Sequence, residues 1–168
     1  MAVEDKYVDS DVAANNLVHG LKFNGATVIA MRAIAAIAAA DDDGSVYRLF
    51  RSVPANLIPL HIDIVCDAIT GGTDYDLGFY KPLAFGGTVV DKDNLMDGQT
   101  LASALTCATG QGLGMKDVSA ANQLKKVWEH AGHTSTTKLE SYDIALTGNT
   151  VGTGAGNACV TAYFAQSN

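Results

Sequence analysis

The chain has 168 residues, the usual size of one domain, and its 17 glycines against 3 prolines indicate many tight turns. Hydrophobic residues make up 48% and charged residues 17%, which excludes disorder over most of the length. The net charge is −7, and no stretch gathers its 11 basic residues into a stripe, which argues against direct nucleic-acid binding.

The start of the chain carries neither a targeting signal nor a core-forming pattern. No basic segment followed by an apolar one opens it, so we expect no signal peptide. The longest apolar run, residues 33–40, is too short and too rich in alanine to span a membrane. Residues 1–22 are polar and lack a sustained period, which predicts an N-terminal arm preceding a β-sandwich domain over residues 23–168.

Two strands are predicted in the first third of the domain. The first begins at Thr27 and extends to about residue 34, where an alanine-rich run makes the pattern ambiguous between strand and helix. The second covers residues 45–53 and places Tyr47 on the inner face and Arg48 on the outer face.

The clearest alternation in the chain covers residues 60–68, with the even-numbered side chains facing inward. Residues 75–79 also alternate, and a Gly71-Gly72 turn separates the two segments. Residues 60–80 therefore predict a β-hairpin in the middle of a sheet.

The second half of the chain is less regular and contains the one predicted helix. The elements expected there are a strand at 88–90, a helical turn at 94–96, a helix at 118–131, and strands at 142–147 and 158–165. The helix carries Trp128 on its apolar stripe, which should lie against the sheet or across its open edge. Six or more short strands and one helix predict an all-β sandwich.

No motif in the sequence has the spacing of a catalytic, cofactor or metal site, and the chain is predicted not to be an enzyme. The glycine-rich segments 110–114 and 152–156 lack the pattern of a phosphate loop. His130 and His133 have no third zinc ligand nearby and are expected at a solvated helix end. Residues 91–98 offer many oxygen ligands but miss the EF-hand order, which leaves a weak calcium or magnesium site as the alternative.

The three cysteines, Cys66, Cys107 and Cys159, are an odd number and widely spaced. Buried, reduced thiols are favoured over a disulfide or a nucleophile, in keeping with folding in a reducing cytoplasm.

Aromatic residues beside basic ones provide the candidate interface. Three aromatic side chains close to Arg48, Arg51 and Lys81 are expected to face outward or to lie on loops, and exposed aromatic residues beside arginine are typical of protein interfaces. Packing at the edge of the core is the alternative. The candidate interface residues are Phe50, Arg51, Tyr80, Lys81 and Phe85.

Several segments, in order, resemble a known family. They are Gly44-Ser-Val-Tyr-Arg-Leu, Val53-Pro-Ala-Asn-Leu-Ile-Pro-Leu, Tyr75-Asp-Leu-Gly-Phe-Tyr, Gly86-Gly-Thr-Val-Val-Asp-Lys-Asp, the Leu-x-x-x-Trp-Glu-His segment at 124–130, and Tyr142-Asp-Ile-Ala-Leu-Thr with the later Thr-Ala-Tyr at 161–163. In their order and spacing, over roughly residues 44–165, they resemble the capsid cement and decoration proteins of tailed bacteriophages.

The resemblance implies a jelly-roll-like β-sandwich that binds the outside of the expanded capsid over joints between subunits of the major capsid protein. It implies neither a cofactor nor catalytic residues. We expect a homo-oligomer, with a dimer favoured over a trimer, that is made in the host cytoplasm and contacts neither nucleic acid nor membrane. A tail or baseplate subunit and a carbohydrate-binding or hydrolytic β-sandwich are the alternatives.

Overall fold

A computed structural model describes the backbone of residues 5–7, 22–23 and 26–166, and the side chains of residues 27–166. In these residues the strands are β1 (Asp5–Tyr7), β2 (Lys22–Phe23), β3 (Ala26–Ile37), β4 (Ser45–Pro54), β5 (Leu57–Cys66), β6 (Asp74–Tyr80), β7 (Val89–Gln99), β8 (Ser141–Thr150) and β9 (Gly156–Gln166). The one α-helix of this part of the chain is α1 (Val127–His130), and short 3₁₀ turns lie at Leu83–Phe85, Leu113–Met115 and Ala120–Asn122.

The strands form two sheets. The five-stranded sheet has the order β1-β4-β8-β6-β7, and the four-stranded sheet has the order β2-β3-β9-β5. All pairs are antiparallel except β1 with β4. This architecture confirms the predicted jelly-roll-like, all-β sandwich.

The core lies between the two sheets and follows the alternation of the strands. In β9, Val160, Ala162 and Phe164 are fully buried, as predicted, and β8 buries Tyr142 and Ile144 in the same way. Burying one such aliphatic or aromatic side chain contributes about 1.5–3 kcal/mol, so these faces fix the orientation of both strands.

The predicted hairpin over residues 60–80 is wrong, because β5 and β6 lie in different sheets. β5 pairs with β9, whereas β6 pairs with β7 and β8. The connection crosses between the sheets at Ile69, which is fully buried and whose amide donates to the carbonyl of Leu101. Alternation identifies the buried face of a strand but does not identify its neighbours.

The ends of β5 also depart from the predicted alternation. Ile62, Ile64 and Cys66 are buried as predicted, but Leu60 is 38% exposed and Ala68 is exposed. A register shift between residues 59 and 61 turns the first of these outward, and the second lies beyond the end of the strand.

The helix predicted at 118–131 is largely wrong, since its regular α-helical part is limited to α1. Lys126 is extended, with ψ of 160°, which separates α1 from the 3₁₀ turn before it. The amide of Trp128 donates to the carbonyl of Ala55, so a tertiary hydrogen bond holds this short helix in place. Val127 is buried, Trp128 is partly buried, and Leu124 on the predicted apolar stripe is 79% exposed.

The helical turn predicted at 94–96 is wrong, because these residues belong to β7, an eleven-residue strand that continues from the short strand predicted at 88–90. Its pairing with β6 shifts register three times, which explains why no regular alternation marks it in the sequence.

The first long strand, β3, extends three residues beyond the predicted residue 34 and pairs with β9 up to Ile37.

Most of the predicted N-terminal arm, residues 1–22, lies outside the described residues. Within it, the backbone of β1 pairs in parallel with Val46–Arg48 of β4. No helix in the described ranges has the length and apolar character needed to cross a membrane.

Candidate interaction surface

A short loop between β6 and β7 presents apolar side chains to solvent. This loop, residues 81–88 and called the β6–β7 loop below, is closed by a 2.9 Å hydrogen bond from the Lys81 amide to the Thr88 carbonyl. Its centre is the 3₁₀ turn Leu83–Phe85, which ends at Gly86 with a positive φ of 92°. Phe85 is 68% exposed and Leu83 is 41% exposed.

The fully buried guanidinium of Arg48 fixes the base of this loop. Its Nη1 atom lies 3.1 Å from the Lys81 carbonyl oxygen, and its Nη2 atom lies 2.6 Å from the Gly87 carbonyl oxygen. The planar guanidinium has several donors in fixed directions, so one side chain can hold both ends of the loop. The loop is therefore anchored to β4 through its backbone.

The charge of Arg48 is balanced by Asp143 of β8, which is also fully buried. The two side chains form an ion pair at 3.1 Å, and the other carboxylate oxygen of Asp143 accepts the Ser52 amide at 2.8 Å. A buried ion pair is stable only when hydrogen bonds satisfy the remaining polar atoms, as they do here. The pair fixes the relative positions of β4, β8 and the β6–β7 loop.

Tyr80 covers this ion pair. The guanidinium carbon of Arg48 lies 5.1 Å from the centre of its ring, and the Tyr80 hydroxyl shares a 2.6 Å hydrogen bond with the Thr147 hydroxyl. Stacking of a cation on an aromatic face adds about 1–2 kcal/mol when the pair is desolvated. Tyr80 therefore supports the loop from beneath and is only 5% exposed.

A groove of about 410 Å³ lies beside Phe85. Its other lining residues, which immediately precede or begin β8, are Lys138, Leu139, Glu140 and Ser141. The Leu139 amide donates to the Tyr142 hydroxyl at 2.9 Å, which fixes this wall of the groove. The surface thus combines an exposed aromatic ring, a residue type enriched in protein interfaces, with a lysine and a glutamate beside it.

The structure brings three of the five predicted interface residues together. Tyr80, Lys81 and Phe85 lie at the end of β6 and in the loop, and Phe85 is the strongly exposed member. Arg51 is exposed on β4. Phe50 is fully buried, so its expected outward orientation is wrong.

The physical reason for the Phe50 error is a register shift in β4. Between Arg48 and Phe50 the pairing with β8 shifts, so that Leu49 and Phe50 are both fully buried. An irregularity of this kind inserts a residue and breaks the two-residue alternation on which the prediction depended. Tyr80 also differs from expectation, because it packs over Arg48 rather than facing solvent.

Sequence reasoning missed the Arg48–Asp143 pair, since it placed Arg48 on the strand face opposite Tyr47 and made no prediction for Asp143. Arg48 does lie on the opposite face from Tyr47, but the loop and Tyr80 bury it. The available signal was weak: each residue is a single charge flanked by apolar or aromatic residues, Arg48 between Tyr47 and Leu49 and Asp143 between Tyr142 and Ile144, and charges are rarely fully buried unless paired.

His130 was expected at a solvated helix end, but it is only 4% exposed. Burial lowers its pKa, with Lys125 acting in the same direction and Glu129 opposing. Its Nδ1 atom lies 3.2 Å from the Asn94 side-chain oxygen, and its ring stacks on Phe79. The side chain is a packed, neutral histidine at this site.

The carboxylates of Asp76, Asp93 and Asp97 approach one another, two of them from the segment considered for calcium or magnesium. The Lys92 ammonium lies 3.0 Å from Asp76, and the Asn149 amide donates to the same oxygen at 2.6 Å. Burial favours the neutral carboxyl of Asp76, but these bonds and one from the Gly98 amide outweigh it and lower its pKa. Lys92 therefore pairs with Asp76, one of the three carboxylates.

The three cysteines are free thiols, as predicted, but only Cys66 is buried. Burial raises its pKa, which keeps the thiol protonated and unreactive. Cys107 is exposed and Cys159 is half-buried.

No protein-family model matches the sequence, and no curated protein matches it. Two solved structures match the fold. A chain of the capsid of Ralstonia phage GP4 superposes with a TM-score of 0.53 at 14% identity, covering 96% of this chain and 97% of that one. A chain of the cyanophage Pam1 capsid asymmetric unit gives a TM-score of 0.50 at 14% identity, covering 92% and 95%. The chain thus shares its fold, over nearly its whole length, with chains from two phage capsids.

Proposed function

We propose that this protein is a structural component of a bacteriophage virion that binds the outside of the capsid and cements subunits of the major capsid protein. It acts as a homo-oligomer, a dimer rather than a trimer, without catalysis or a cofactor. It is made in the host cytoplasm and then joins the virion.

The observation that carries the proposal is the shared fold over 96% and 92% of the chain with chains of two phage capsids. Because both matches cover 95% or more of the other chain, the similarity extends over nearly the full length of the compared chains. The β6–β7 loop adds a physical reason, since a loop held by a buried ion pair can present Phe85 to a partner with little loss of conformational entropy.

The test is binding to undecorated capsid shells. Purified protein is mixed with shells, the shells are pelleted, and bound protein and the temperature of DNA release are measured. We expect saturable binding and a higher release temperature with the wild-type chain. Failure to bind any shell would reject the capsid role and favour a tail or baseplate position.

Phe85→Ser tests the loop as the contact surface. Losing one exposed aromatic anchor should weaken shell binding about tenfold or more, while the unfolding free energy changes by less than about 0.5 kcal/mol. Leu124→Ser is the matched control, because Leu124 is similarly exposed at 79% but lies before α1. Equal binding of the two variants would exclude the loop.

The polar residues 1–22 are proposed to form an arm that contacts a neighbouring subunit. A chain lacking residues 2–20 should remain folded in the same assay because, of the described strands, it loses only the three-residue edge strand β1. It should bind shells more weakly, because the contacts of the arm with the neighbouring subunit are lost.

A further inference from the structure

The outer face of the four-stranded sheet carries regular rows of side chains across β3, β9 and β5. In one row Arg32 of β3 and Asp63 of β5 both lie opposite Thr161 of the central strand β9. In the adjacent row Ile34 and Val65 both lie opposite Cys159. Each row has a small residue at its centre.

These side chains are accessible to a partner. Ile34 is 43% exposed although its strand neighbours Ala33 and Ala35 are buried in the core. Arg32 is exposed, and Val65 and Cys159 are half-buried. The face thus places one charged row beside one apolar row.

The charged row has opposite signs at its two ends. The Arg32 Nε atom donates to the Thr161 hydroxyl at 3.1 Å, which directs the guanidinium along the row. One oxygen of Asp63 accepts the Gly112 amide at 2.8 Å and contacts His61 at 2.7 Å. Since neighbouring strands are about 4.8 Å apart, the backbones of Arg32 and Asp63 within one chain are separated by roughly 10 Å.

We propose that this face is the contact between two copies of the chain, related by a twofold axis that runs along β9. A rotation about that axis places β3 of one copy over β5 of the other. Arg32 then faces Asp63 of the second copy, twice, and Ile34 faces Val65 of the second copy. Thr161 and Cys159, on the axis, face their own counterparts. A twofold axis across the strands would instead place Arg32 against Arg32, so charge selects the first arrangement.

The size of the face predicts a weak dimer. The outward-facing residues of β9, Asn157, Cys159, Thr161 and Tyr163, each lie at the centre of one row. Three strands about 4.8 Å apart and these four rows about 7 Å apart give roughly 400 Å² in projection per copy. This area lies at the low end for specific protein interfaces, so we expect dissociation at micromolar concentrations. The inference extends the proposed homo-oligomer, and its tests use the purified chain without shells, so they stand or fall independently of capsid binding.

The decisive test uses two charge reversals that are complementary between copies. Arg32→Glu places two negative charges opposite each other in its own dimer, and Asp63→Lys places two positive charges opposite each other. Each variant alone should sediment as a monomer at concentrations where the wild type is dimeric. An equimolar mixture of the two should form a dimer, because both pairs between the copies are then of opposite sign.

A repulsion within one chain could not be relieved by mixing, so recovery in the mixture identifies a contact between copies. Circular dichroism verifies that each variant is folded. Wild-type protein that stays monomeric at tens of micromolar, dimeric single variants, or a mixture that remains monomeric would each overturn the proposal.

The second test requires no charge change and applies even where a reversal impairs folding. In a Cys107→Ser chain, Cys159 is the accessible thiol, since Cys66 is buried. A bis-maleimide with a span close to the intersheet spacing of about 10 Å should link two copies through Cys159. Adding Cys159→Ser is the control. Absence of the cross-linked dimer in the Cys107→Ser chain would contradict an axis along β9.

Discussion

Replacing Arg48 with Met should destabilise the protein strongly, because it leaves the buried Asp143 without its counter-ion. The substitution removes the 3.1 Å ion pair and the donors to the carbonyls of Lys81 and Gly87. Only the Ser52 amide among the described contacts still binds the carboxylate. Breaking a fully buried pair typically costs about 3–5 kcal/mol, which is a large part of a total stability of about 5–15 kcal/mol.

The measurement is urea unfolding followed by circular dichroism, with Arg51→Met as the matched control on the same strand. Arg51 is exposed, so its replacement should cost less than about 1 kcal/mol. Arg48→Met should lower the melting temperature by roughly 10 °C, since 1 kcal/mol corresponds to about 2–4 °C in a chain of this size.

Hydrogen exchange shows which part of the protein the Arg48→Met substitution destabilises. The Lys81 amide closes the β6–β7 loop, and the Phe85 amide donates to the Pro82 carbonyl within its turn. Hydrogen exchange at these two amides should accelerate in Arg48→Met more than exchange in β9. Adding Asp143→Leu should recover part of the lost stability by removing the uncompensated charge. Equal unfolding free energies for the Arg48 and Arg51 variants would refute the role of the buried pair.

Two further predictions concern the core and pH. Ile64→Asp places an unpaired charge at a fully buried position and should cost several kcal/mol of unfolding free energy or abolish folding. Soluble yield and melting temperature measure this effect, and Ile34→Asp on the outer face is the control that should fold. Because burial lowers the pKa of His130 below that of the unfolded chain, stability from this group is present above about pH 6.5 and is lost as the pH falls through the folded pKa. His130→Gln should therefore reduce the loss of unfolding free energy between pH 7 and pH 5, and His133→Gln should not; equal losses in both variants would contradict this explanation.

The alternation of apolar residues predicted those strands whose pairing is regular. β9 pairs with β3 over ten consecutive residues, and its inward residues Val160, Ala162 and Phe164 were identified from sequence. β4 and β7 have register shifts, and there the prediction placed Phe50 on the wrong face and missed most of a strand. A two-residue period is informative only while the backbone keeps it.

Only the exposed part of the candidate interaction surface could be predicted from the sequence. Phe85 lies three residues after Pro82 and immediately before Gly86 and Gly87, and this composition indicates a loop in which its side chain is exposed. Arg48 and Asp143 are 95 residues apart, and their pairing depends on β4 and β8 being neighbours. Sequence patterns contain no such long-range information, so the residues that hold the loop could not be found from them.

The two proposed contacts use different parts of the sandwich, so the β6–β7 loop stays accessible when the outer face of the four-stranded sheet forms a dimer, and a further prediction follows. The β6–β7 loop connects two strands of the five-stranded sheet, whereas the face with Arg32 and Asp63 belongs to the four-stranded sheet. A dimer would therefore carry two loops at once, and the second loop would bind a shell at a high effective concentration once the first is engaged. Arg32→Glu should lower the apparent affinity for undecorated shells, by tenfold or more, without reducing the amount bound at saturation, because each loop remains intact. Mixing this variant with Asp63→Lys should restore the wild-type affinity in the pelleting assay. If Arg32→Glu bound with unchanged affinity while sedimenting as a monomer, dimerisation would have no part in attachment, and the loop would act as a single independent contact.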